Sequence, residues 1–140
     1  IMAEIKYESK IGQINANATN VYAVLTNLEN LQKFKDHIPQ DKVKEIEVTR
    51  DSIRFKIEGI GPKIAIGIVD HEENKMIKYG AENIPIPVNA WIQLKQMEEN
   101  DTRIRITIKA DMPAMFKLML DKKLQTGLDQ AVDMLCHLQY

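Results

Sequence analysis

Between Lys42 and Ala110 the apolar residues recur at every second position, and no stretch in that span carries a helical period. The alternation is clearest in Ile53/Phe55/Ile57, Ile64/Ile66/Ile68 and Ile104/Ile106/Ile108. Six strand-like segments result, at about Lys42–Arg50, Ser52–Glu58, Lys63–His71, Met76–Glu82, Val88–Glu98 and Thr102–Ala110. The links between them are short, which favours hairpins over helical crossovers and an antiparallel meander. Alternating strands leave one wet face and one apolar face, and the apolar face needs a cover.

The cover comes last in the chain. After Pro113, placed where a first helical turn tolerates proline and with Asp111 close enough to help cap it, the period changes to 3.6 and holds to about Gln139. That is roughly 40 Å of helix at 1.5 Å per residue. Phe116, Leu120, Leu124, Gly127, Ala131, Leu135 and Leu138 form its apolar stripe, widened by Met119 and Met134; Asp121, Gln125, Asp129 and Asp133 take the other side. Gly127 in that stripe is expected to allow a close approach or a bend, dividing the helix into a cavity-lining first half and a packed second half.

Ahead of the meander, Ile5, Tyr7, Ser9 and Ile11 share one parity, a further strand over about Glu4–Asn15, with Gly12 as a candidate bulge because Ile14 falls out of step. Asn17 is the expected N-cap of a helix over Ala18–Asn27, and a second short helix is expected from Glu29 to about Lys35, stopped by Pro39. Ile1 precedes Met2 and is set aside, which leaves 2–140 as one domain. Its 19 basic and 20 acidic residues give a net charge of −1, so nothing in the charge suggests nucleic acid as a partner. No apolar run reaches the ~18 residues of a membrane span, Met2-Ala3-Glu4-Ile5-Lys6 does not read as a signal peptide, and a single cysteine, Cys136, suits a reducing, cytoplasmic location.

The element order, together with the stretch Ile14-Asn15-Ala16-Asn17-Ala18-Thr19-Asn20-Val21-Tyr22-Ala23-Val24-Leu25 running into Leu28-Glu29-Asn30-Leu31, resembles the START-like superfamily, which includes polyketide cyclases and dehydratases, coenzyme Q-binding proteins and Bet v 1-like proteins. The resemblance implies the α+β helix-grip fold: a seven-stranded curved antiparallel sheet wrapped around the long C-terminal helix, with two short helices after the first strand. It also implies a cavity between sheet and helix that holds an apolar small molecule or, in some members, catalyses its chemistry. The chain departs from the plant allergen branch, because the hairpin at Arg50-Asp51-Ser52 is tight and lacks a glycine-rich loop.

A meander sends alternate turns to opposite ends of the sheet. One rim carries Asp51, Glu72-Glu73-Asn74 and Glu98-Glu99-Asn100-Asp101; the other carries Gly59-Ile60-Gly61-Pro62, Asn83-Ile84-Pro85-Ile86-Pro87 and Asp111-Met112-Pro113. Ile60, Ile84, Ile86 and Met112 on the second rim make a candidate apolar portal, with core plugging or a homodimer contact as the open alternatives. Met115, Phe116 and Met119 on the long helix, Lys123 one turn before Gly127, and Tyr79, Ile92 and Ile106 on the strands complete the candidate ligand-binding set. Methionine suits an adaptable pocket, although packing is its commoner use.

Signals for catalysis are few. His37, His71 and His137 lack partners at metal-ligand spacing, no phosphate-binding glycine loop is present, and neither a metal nor a cofactor is expected. Trp91 has the parity of the outer face. The expected activity is therefore binding or transport of a hydrophobic small molecule. A cyclase/dehydratase-type enzyme using Tyr79, Lys123 or His37 as proton donor, and a protein-interaction module using the outer sheet face, are the alternatives.

Overall fold

The computed structural model describes residues 2–30, 43–57, 63–82 and 87–140, apart from the side chains of Met2, Ile57, Phe116, Met119 and Leu120. Among the described residues, eight strands and two helices follow in the order β1 (Met2–Glu8), β2 (Gly12–Ile14), α1 (Ala18–Leu25), β3 (Val43–Val48), β4 (Ser52–Ile57), β5 (Ile64–Glu72), β6 (Met76–Glu82), β7 (Val88–Glu98), β8 (Asp101–Pro113) and α2 (Ala114–Cys136). All pairings are antiparallel, in the spatial order β1-β8-β7-β6-β5-β4-β3, with β2 also on β8. This is the curved α+β helix-grip arrangement that the sequence pattern predicts. No described helix is long and apolar enough to cross a membrane.

The sheet has eight strands rather than seven because the first expected strand is broken. Glu8 pairs with Thr107 and Gly12 with Ile104, so three residues oppose two and one is extra. Ser9 bridges the break: its N–H donates to Ile106 O at 2.8 Å, and its Oγ accepts from Ile106 N at 2.8 Å. The bulge precedes Gly12. It turns Ile11 outward to 64% exposure, against the inward parity expected for it, and returns Ile14 to the core.

Gly12 serves another purpose. A Cβ there would lie 2.5 Å from Val132 Cγ1 and 2.6 Å from Cys136 Sγ, so glycine lets α2 cross β2 in close contact. Gly127, expected to fill that role, meets nothing within 4 Å and is exposed. The polar row of α2 is not a free solvated face either. Asp121 accepts from the Tyr7 hydroxyl, Gln125 Nε2 donates to Glu8 O at 2.8 Å, Asp129 Oδ1 accepts from Lys10 N at 2.7 Å, and Asp133 pairs with Lys10 Nζ at 2.6 Å. Spaced four residues apart, these side chains tie one flank of the helix to the β1–β2 edge. On the sheet side, Leu128, Val132 and Leu135 are buried.

Helix α1 closes one end of the grip. Its N-cap is Asn17, as the sequence predicts, with Oδ1 accepting from Asn20 N at 2.8 Å. Val21, Leu25 and Leu28 point inward, while Ala18 N donates to Gln96 Oε1 at 2.9 Å and Leu28 N to Arg50 O at 3.0 Å, which places the helix across the charged rim. Asn30 N bonds back to Asn27 O at 3.0 Å in a tight turn; the rest of the second expected short helix lies outside the described residues. At the other end β8 runs on to Pro113, the N-cap of α2, which forms no side-chain capping bond. Asp111 is therefore a strand residue opposite Glu4, not a cap.

Candidate functional site

Between the sheet and the C-terminal half of α2 lies a cavity of about 410 Å³. The strands contribute Ile53, Ile66, Tyr79, Ala90, Ile92 and Ile106, all on the inward parity. Helix α1 and the turn after it supply Leu25 and Leu28, and α2 supplies Ala131, Met134 and Leu135. Ala90 on the sheet and Ala131 on the helix are the short side chains of the described wall.

Tyr79 carries the one ionisable or hydroxyl-bearing side chain of the described lining. Its hydroxyl donates to Leu25 O at 3.3 Å, and burial pushes the phenol well above its usual range, so it stays protonated. No lysine, arginine, histidine or carboxylate is in the described wall, and no cluster of metal-ligating residues occurs among the described residues.

Three of the residues singled out from sequence, Tyr79, Ile92 and Ile106, thus meet around one space. Met112 is buried in the core on β8, with 4% exposure. Met115 is 67% exposed and Lys123 is exposed, and neither borders the cavity. Phe116 and Met119 lie on α2 with side chains outside the described residues, as do Ile60, Ile84, Ile86 and His37 altogether. Sequence reasoning missed Ala131 and Met134 as wall residues. The signal was an alanine within the apolar stripe of the helix.

The two described histidines are elsewhere. His71 is exposed on the charged rim, where Nδ1 lies 2.9 Å from the Tyr22 hydroxyl, and His137 sits at the C-cap of α2. Two further hollows, of about 420 and 430 Å³, lie on the outer sheet face. The first has Ile11, Met97, Arg103 and Arg105 in its wall; the second runs over the paired Gly67 and Gly80 between Arg54 and Glu82. Trp91 is also on this face, with Lys78 Nζ 5.3 Å and Lys109 Nζ 5.6 Å from its ring centroid, so two lysines partly cover it.

A curved antiparallel sheet gripping a C-terminal helix is the fold of the START and Bet v 1-like proteins. Among solved structures, norcoclaurine synthase from Thalictrum flavum, in complex with dopamine and hydroxybenzaldehyde, is similar at a TM-score of 0.66 and 13% identity, over 100% of this chain and 90% of that one. A START superfamily protein from Mycobacterium smegmatis is similar at a TM-score of 0.56 and 12% identity, over 96% of this chain and 98% of that one. A Rhizobium loti protein, Mll3558, gives 0.59 and 12% identity over 91% of this chain and 94% of its own. No protein-family model matches the chain. No curated protein matches it in sequence. At these identities the likeness is one of fold.

Proposed function

We propose that the protein binds or carries a hydrophobic small molecule in the cavity between the sheet and the C-terminal half of α2. The observation that carries this reading is the described wall: about 410 Å³ bounded by apolar side chains and, among the described residues, one neutral phenol. That volume is within the range of small-molecule sites, and binding there would draw mainly on apolar burial, at ~25 cal/mol per Å² before ordering costs. The START-like fold of its structural neighbours supports the same reading.

One neighbour is an enzyme, norcoclaurine synthase, so a cyclase- or dehydratase-type activity is the second reading. General acid–base chemistry calls for a second ionisable group within reach of the reacting atoms. Tyr79 stands alone in the described wall, and its raised pKa makes it a weak proton donor near neutral pH. Those two facts favour the carrier.

Native mass spectrometry of the freshly purified protein, followed by denaturing extraction, tests the proposal together with a titration by the neutral fluorophore N-phenyl-1-naphthylamine. The expected result is saturable binding of one fluorophore per chain that is lost in Ala131→Trp, with the circular dichroism spectrum unchanged. Ala131→Leu, a smaller intrusion, should weaken binding in the same direction. Undiminished binding in both folded variants would contradict the location.

A further inference from the structure

The hydroxyl in the cavity wall is already committed on one side. Leu25 is the last residue of α1, so its carbonyl is among those a helix end leaves without a backbone partner. The amide one turn on, Glu29 N–H, donates instead to Asn27 Oδ1 at 3.1 Å. Tyr79 takes its place, donating its only hydroxyl proton to Leu25 O at 3.3 Å. A phenol has one proton and two lone pairs, so Tyr79 offers the cavity an acceptor rather than a donor.

We infer that the molecule held in this cavity is neutral, largely hydrocarbon, and carries a hydroxyl that donates to the Tyr79 oxygen, completing a chain from ligand hydroxyl through Tyr79 to the Leu25 carbonyl. The inference rests on reading the cavity as the binding site. Each bond in such a chain polarises the next. A ketone or ether brings only acceptors. It can be satisfied only if Tyr79 turns its proton inward, which strips the Leu25 carbonyl of its partner at the cost of an unmet buried group. A carboxylate fares worse, because the described wall holds no cation to offset its desolvation.

Four probes on one ring system separate these cases: 2-naphthalenemethanol, 2-acetylnaphthalene, 2-ethylnaphthalene and 2-naphthoic acid, each displacing N-phenyl-1-naphthylamine at pH 7. In the wild-type protein the alcohol should outcompete the ketone, and the naphthoate should bind weakest. Tyr79→Phe should weaken the alcohol about tenfold, the scale of one hydrogen bond at a buried site, while the hydrocarbon stays within about twofold and reports an intact cavity. Equal losses for alcohol and ketone in Tyr79→Phe would overturn the inference, as would a naphthoate that binds as well as the alcohol, or an alcohol indifferent to the substitution. In those three outcomes the fluorophore still binds, and the cavity stands as a binding site. If neither the fluorophore nor any probe binds, the proposed function fails first and the inference falls with it.

Discussion

The two halves of α2 are built from similar residues and do different things. In the first half, Met115 and Leu118 stand 67% and 84% exposed. In the second, Val132 is fully buried against Gly12, and Ala131, Met134 and Leu135 wall the cavity. Hydrophobic residue identity does not distinguish the halves; what they face does. The second half lies over β2 and the inner face of the sheet, held at its flank by Asp129 and Asp133, and Ala131 there is part of the cavity wall.

The largest effect should come from making one substitution in both halves. Leu135→Ala removes a buried side chain and should cost about 2–5 kcal/mol, whereas Leu118→Ala should stay within about 0.5 kcal/mol. Urea unfolding of the two variants checks this, and equal losses would erase the contrast. The two glycines give the next comparison. Gly12→Ala drives a methyl against Val132 and Cys136 and should destabilise by about 1–3 kcal/mol. Gly127→Ala, in an exposed helix interior with open space, should stabilise by up to about 1 kcal/mol. Opposite signs in thermal unfolding are the expected outcome.

A pH profile sharpens the anchoring of the helix. Burial, then the hydrogen bond to the Asp121 carboxylate, pushes the Tyr7 phenol up from 10.0 to about 12. A raised phenol pKa means that folding favours the protonated form. Its contribution is complete below pH 10.0 and is lost as pH rises through about 12. Alkaline unfolding in that window should be shallower in Tyr7→Phe, although the partly buried Tyr79 and Tyr140 are shifted in the same direction and leave part of the slope. The smallest effect should be that of Trp91→Ala on the outer face, which leaves fluorophore affinity unchanged. A loss there would mean that the two faces of the sheet are not independent.

Much of this architecture is legible from local pattern. Met76–Glu82 and Val88–Glu98 end where the alternation ends, and Asn17 caps α1 because a short side-chain acceptor precedes a helical stripe. What local pattern could not assign depends on contacts between distant residues. Gly12 reads as a bulge residue until Val132 and Cys136, more than a hundred residues on, are placed above it. The row from Asp121 to Asp133 reads as a solvated face until its partners in Tyr7–Lys10 are known. The site divides the same way. Tyr79, Ile92 and Ile106 follow from strand parity, whereas Ala131 and Met134 depend on which stretch of the helix lies over Ala90.

Methyl NMR, with N-phenyl-1-naphthylamine titrated into the labelled protein, tests the central claim most directly. Shifts concentrated on Leu25, Ile92, Ile106, Ala131 and Met134, with Met115 and Leu118 unmoved, are the predicted result. Shifts centred on Met115 and Leu118, or on Ile11 and Met97 of the outer face, would contradict it.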